Sequence, residues 1–209
     1  MADLSALDYL IFEKSCRSEY AHGDEGPDSW NMNVMVVSDT EDSEPDPVLW
    51  MDGWTFRLGE GLDLAPELDA VSADTAVFMP LVDGDGLADT VDGDLFGTRL
   101  VLINHVSLDH AWRGHGGVGR YLTGLAIPRL DSAAACVALH ASPFELRKRY
   151  SSGDVPADEW EAGAIALGKL WKTIGFKHHS GHLYVLDPST LALDEAVDEL
   201  KSHLMQDQE

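Results

Sequence analysis

The rhythm of hydrophobic and polar positions changes near residue 99. Before it, short β-branched or alternating runs lie between acidic stretches. Tyr9–Glu13 (YLIFE), Met32–Val37 (MNVMVV) and Val48–Leu58 (VLWMDGWTFRL) each predict a strand. Asp52–Gly53, a turn-forming pair inside the third run, predicts a break there into a hairpin. Ser38–Asp46 carries five acids among turn formers and predicts a solvated connection. Together these strands predict an antiparallel meander. Leu62–Ala70 and Ala73–Val82 have mixed periodicity and predict helices.

From Arg99 the runs lengthen. Arg99–Val106 (RLVLINHV) and Ala133–His140 (AAACVALH) are nearly continuous in apolar residues, as strands buried on both faces are. Val118, Leu122, Leu125 and Ala126 share one face of a helix over Val118–Leu130. Trp160, Ala164, Leu167, Trp171 and Ile174 do the same on a helix stopped by Gly175. Leu183–Leu186 predicts a strand ended by Asp187–Pro188, and Leu193, Val197, Leu200 and Leu204 a last amphipathic helix. The order β–α–β–α–β from Arg99 to Leu186 predicts a mainly parallel, right-handed α/β unit. One domain of 209 residues follows: an acidic half (1–98), a core (99–187) and a C-terminal helix (188–209).

Charge adds an asymmetry. The net charge is −23; residues 1–98 hold 23 acids and 3 bases, and residues 99–209 hold 14 acids and 11 bases. Such a field repels nucleic acid and attracts cations, amines included, and it also serves solubility or salt adaptation. No apolar run is long enough to span a membrane, and MADLSALDYL lacks a secretory signal pattern, so a cytoplasmic protein is expected. Cys16 and Cys136 have no metal-ligand spacing and read as free thiols. Asp83–Asp94 begins like a calcium loop, but Ala88 and Asp94 stand where glycine and glutamate are required; a flexible acidic loop is expected and no metal site.

The chemistry concentrates where the Arg99 strand passes through Ser107–Trp112 into Arg113-Gly-His-Gly-Gly-Val-Gly-Arg120 and then a helix. Glycines uncover backbone amides, and the helix start adds unpaired N–H groups, so the turn suits a pyrophosphate. The Walker ending Gly-Lys-Ser/Thr is absent, and the Rossmann spacing fails. With Leu170-Trp-Lys-Thr-Ile-Gly-Phe176 closing the later helix, the chain resembles the GNAT superfamily of acyltransferases over roughly residues 99–187. Arg113 and Gly116 fit that family's Arg/Gln-x-x-Gly-x-Gly/Ala, with one extra glycine moving the last small residue to Gly119.

That resemblance implies a GNAT-like mixed sheet with helices on both faces, antiparallel N-terminal strands and a splayed parallel pair, Arg99–Val106 with Ala133–His140. It implies acetyl-coenzyme A as co-substrate and an amine acceptor, and a homodimer is compatible with it. The backbone of Val106, Ser107 and Leu108 would pair with the pantetheine arm. Gly114 and the amides of His115, Gly116, Gly117, Val118, Gly119 and Arg120 would cradle the pyrophosphate, with Arg113 and Arg120 supplying charge. His105 is the first candidate base, with Asp109 beside it and His140 ending the partner strand. Trp171 stands where relatives carry the tyrosine that protonates the leaving thiolate; Tyr150 or Tyr184 would have to substitute. Arg147-Lys-Arg149, in the long stretch Phe144–Asp158, could meet a phosphate. Two other functions stay open at this point: a GNAT-like module that binds without catalysis, and an acidic decoy that competes with nucleic acid for basic proteins.

Overall fold

A computed structural model describes residues 4–18, 26–37, 44–91, 95–150 and 154–206. The strands are β1 (Leu10–Ser18), β2 (Asp28–Val36), β3 (Asp46–Arg57), β4 (Val82–Asp83), β5 (Gly86–Leu87), β6 (Arg99–Leu108), β7 (Ala134–His140), β8 (Lys177–Ser180) and β9 (Leu183–Leu186). The helices are α1 (Leu64–Val71), α2 (Ala73–Ala76), α3 (Val118–Ala126), α4 (Ala157–Lys172) and α5 (Ala192–Gln206). Seven strands form one sheet in the order β1-β2-β3-β6-β7-β9-β8, and β4 and β5 form a separate small hairpin. The large sheet is mixed and mostly antiparallel, because among the described residues only β6 and β7 run parallel. Among the described residues no helix is long and apolar enough to cross a membrane.

The parallel character expected after Arg99 is therefore corrected. β9 runs antiparallel to β7, because the unforeseen strand β8 reverses the chain between α4 and β9. β8 reads Lys-His-His-Ser and lies at the sheet edge, where burial leaves no apolar signature. A second correction concerns Asp52–Gly53, which is no hairpin turn. β3 passes through it as one strand, and the irregularity falls in its pairing with β6: Asp52 faces His105 and Gly53 faces Ile103, so Asn104 is the extra residue of a bulge. Gly53 is required by close approach: a Cβ there would lie 1.8 Å from the Leu102 carbonyl oxygen. The predicted helix 73–82 shortens to α2 and a 3-10 turn over Met79–Leu81 before β4, and Val118–Leu130 likewise ends in a 3-10 turn over Ile127–Arg129. The predicted connection at 38–43 and positions 92–94 of the acidic loop lie outside the described residues.

Alternation along β6 builds a core on each side of the sheet. Val101 and Ile103 face one cluster with Val118 and Leu122 of α3, Ile174 and Phe176 after α4, and Leu193 and Val197 of α5. Leu100 and Leu102 face the other, with Leu64 and Leu68 of α1, Phe78 and Leu81. Each fully buried Leu or Phe contributes about 1.5–3 kcal/mol of apolar burial, so both faces hold the strands in register. β6 lies between β3 and β7, clamped on one edge along its whole length and on the other only in part. That partial pairing creates the site.

Candidate active site

β6 and β7 pair from Arg99–Ala134 to Ile103–Leu139, after which β6 runs on to Leu108 without its neighbour. The strands part into a cleft of about 700 Å³. Val106 and Leu108 line it from β6, Leu139 and His140 from β7, and Ala166, Leu167, Leu170 and Trp171 from α4. The 3-10 segment Phe144–Arg149, which follows β7, crosses its rim with Phe144, Glu145, Leu146, Lys148 and Arg149. An apolar cleft with a few convergent polar groups is the usual form of a small-molecule site.

His105 lies on the opposite face of β6 from Val106 and Leu108, a consequence of strand alternation. Its Nδ1 sits 3.1 Å from Asp52 Oδ2 and 3.2 Å from Oδ1. The imidazole stacks on Trp50, which is 40% exposed, with ring centroids 6.3 Å apart, and it meets the edge of Phe144 at 4.7 Å. Phe144 also lines the cleft, so one ring separates the dyad from the cavity. Burial raises the Asp52 carboxyl above its ordinary value; the His105 charge and hydrogen bond pull it down, Asp74 pushes it up, and burial prevails. The bulge at Asn104 makes this pairing, since it shifts His105 opposite Asp52.

A second ionic group sits on the rim. Arg113 grips Glu145 with two hydrogen bonds, Nη1 to Oε2 at 2.6 Å and Nη2 to Oε1 at 2.8 Å, while its Nε donates to the Leu108 carbonyl at 2.9 Å. Ser107 Oγ donates to Glu145 Oε1 at 3.2 Å, and Lys148 Nζ lies 3.7 Å from the same oxygen. Burial would raise the Glu145 carboxyl, but Arg113, Ser107 and Lys148 outweigh it and hold it below the ordinary value. Arg113 thus stands on the cleft with its charge already engaged.

The glycine turn divides. Gly114, Gly116 and Gly117 all have positive φ, at 81°, 40° and 110°, and Gly117 caps α3. The first-turn amides of Gly119 and Arg120 have no acceptor within the helix. The cleft lining, however, includes Arg113 and none of the residues from Gly114 to Arg120. Packing accounts for part of the composition: a Cβ on Gly117 would meet the Leu200 side chain at 2.9 Å and the Arg120 guanidinium at 2.8 Å. Arg120 turns away from the cleft, donating to Thr173 Oγ1 at 2.8 Å and so tying α3 to the end of α4. His115 Nδ1 is buried without a partner among the described residues.

Other candidates fall away from the dyad. The Asp109 carboxylate accepts from the Ala111 amide at 2.9 Å and caps the 3-10 turn His110–Trp112. Tyr150 is half-buried at the rim segment's far end and hydrogen-bonds Glu159. Tyr184 is buried behind α4, where Gly168 makes room for its hydroxyl. Trp171 lines the cleft and packs edge-on against Phe176. His140 lines the cleft 6.0 Å from the His182 ring, which in turn bonds Glu161 at 3.0 Å. Burial first, then His182, lower the His140 pKa, so it is neutral near pH 7 despite the opposing pull of Asp74. Burial pushes the Cys136 thiol up to about 12, which leaves it protonated and inert. Among the described residues no group of three or more His, Cys, Asp and Glu is placed to hold a metal ion. Asp52 and Glu145, the partners that define the two ionic groups, carry no local sequence signal; only Asp52's place one residue before a strand-interior glycine hints at a bulge. No family model, no curated protein and no solved structure matches the chain.

Proposed function

We propose that the chain is an acyl-coenzyme A-dependent N-acetyltransferase of the GNAT type, acting on a primary amine of a cationic small molecule or peptide. The observation that carries this is the pairing of an apolar cleft, opened where the parallel strands β6 and β7 part, with an Asp–His dyad on the adjoining face of β6. The cleft is large enough for the slender arm of a coenzyme A thioester, and the edge of β6 beyond Ile103 offers it a strand to pair with. The acceptor belongs on the other face, beside His105, Asp52 and the exposed Trp50. Asp52 and Asp74 there, and the excess of acids in the N-terminal half of the sequence, favour a cation.

The thioester supplies an activated acyl carbon: its C–N bond forms as its C–S bond breaks, and the electron pair leaves on sulfur. His105 takes the amine proton at Nε2, because Asp52 holds Nδ1 and fixes the tautomer. Asp52 then faces an imidazolium rather than a neutral ring, and the charge that burial disfavours gains its partner. A thiol of ordinary pKa, near 8.5, leaves readily as thiolate, so Trp171 in the place of a tyrosine slows the final protonation without blocking the transfer.

Turnover of acetyl-coenzyme A with polyamines, aminoglycosides and basic peptides tests the assignment. Thiol release that depends on one of these amines supports it, and binding without release under any of them rejects the catalytic claim. One observation favours a non-catalytic binding module instead, namely that Trp171 can donate no proton to the thiolate. Binding without turnover is that module's signature.

A further inference from the structure

The rim of the cleft is locally basic in a strongly acidic protein: Arg113, Lys148 and Arg149, three of the chain's 14 lysines and arginines, line one opening. The group at its centre is a carboxylate of the chain itself. Glu145 meets Arg113 in the two-pronged geometry that guanidinium uses for carboxylates and phosphates alike, and it takes the Ser107 hydroxyl as well. The segment carrying it is firmly seated. Gly163 of α4 leaves space for Pro143 and Leu146, since a Cβ there would lie 2.9 and 3.2 Å from them, and Arg147 covers the Trp160 ring at 5.2 Å. The Arg113–Glu145 contact is by contrast open to solvent, with side chains 42% and 33% exposed. A side chain can leave such a pair without unseating the segment.

We infer that the rim is an anion site whose resident anion is Glu145, and that a phosphate group of the incoming ligand displaces this carboxylate from Arg113 and Ser107. Glu145 is then a built-in competitor that sets ligand affinity. In its absence it neutralises a cation cluster and keeps Arg113 folded against the Leu108 carbonyl, at the strand edge the ligand must reach. The acyl-coenzyme A assignment identifies whose phosphate this is; the exchange itself stands on the rim geometry.

Calorimetric titration of the full chain with acetyl-coenzyme A and, separately, with inorganic pyrophosphate tests the exchange. The proteins are wild type, Glu145→Gln, Arg113→Gln and the double variant. Removing the competing charge tightens both ligands about fivefold, the scale of one exposed ion pair. Arg113→Gln weakens both, and in that background Glu145→Gln gives no further gain. Equal or weaker binding by Glu145→Gln, folded at the assay temperature, overturns the exchange while leaving the acetyltransferase assignment intact if wild type binds acetyl-coenzyme A. A fivefold gain that persists undiminished without Arg113 overturns it too. Pyrophosphate gained by Glu145→Gln with no acetyl-coenzyme A bound supports the exchange and removes the assignment; no binding of either ligand by any variant removes both.

Discussion

Two carboxylates stand beside the same strand and fare oppositely. Asp52 pairs with His105 through one imidazole, three-quarters shielded, and burial lifts its pKa. Glu145 pairs with Arg113, Ser107 and Lys148 in the open, and those partners lower its pKa despite some burial. The difference lies in what each partner can supply. One histidine, charged only when protonated, cannot offset desolvation, whereas a permanent guanidinium with a hydroxyl and an ammonium beside it can. A carboxylate whose charge is costly gains when its neighbour becomes a cation, which suits proton transfer. A carboxylate whose charge is satisfied acts as a fixed anion, which suits ligand exchange.

The largest test removes the proton acceptor. His105→Ala lowers kcat by on the order of 10³-fold, measured as amine-dependent thiol release, with KM for acetyl-coenzyme A unchanged. A loss below about tenfold places the base elsewhere, with His140 the next candidate. Asp52→Asn should cost less, on the order of 10²-fold in kcat, because the ring stays but its tautomer and cationic form lose support. The rim responds differently: Arg113→Gln raises KM for acetyl-coenzyme A about tenfold and leaves kcat in place. Should both sites change the same kinetic constant, the division of labour between them fails.

These two sites mark how far the sequence reaches. Strands β6 and β7, helix α4 and helix α5 are legible because burial on both faces or on one helical stripe leaves an unbroken or periodic apolar pattern. The same logic hides β8, whose polar Lys-His-His-Ser lies at an edge, and with it the antiparallel course of β9. Asp52–Gly53 reads as a turn because Asp-Gly is a favoured hairpin-turn pair; its use as a bulge depends on the approach of Leu102 from another strand. His105 and Arg113 are visible as chemistry, yet their partners lie 53 and 32 residues away, and no local pattern records such pairings. The glycine turn marks α3 correctly, but Leu200 crowding Gly117 explains part of its composition by packing alone.

The smallest expected effect is thermodynamic and separates the two carboxylates by sign. The folded Asp52 pKa lies above its ordinary value of 3.8, so its ionisation costs stability as pH rises through the folded value, and below 3.8 that cost vanishes. Asp52→Asn therefore leaves the melting temperature unchanged, or raises it by about 2–4 °C per kcal/mol relieved, at pH 7 and has no such gain at pH 3. Glu145 carries the opposite sign: its depressed pKa gives stability that is present at neutral pH and lost on acidification through the folded value. Glu145→Gln does not raise the melting temperature at pH 7. Thermal melts of both variants across pH 3–7 check the pair.

We propose that the parting of β6 and β7 makes a binding cleft for an acyl-coenzyme A. Ala166 lies on the exposed wall of α4 and lines that cleft, so a large side chain there fills the space without entering either core. Calorimetric titration with acetyl-coenzyme A should show one ligand bound per chain for wild type and none for Ala166→Trp of equal thermal stability. No binding by wild type, or undiminished binding by Ala166→Trp, would overturn this assignment of the cleft.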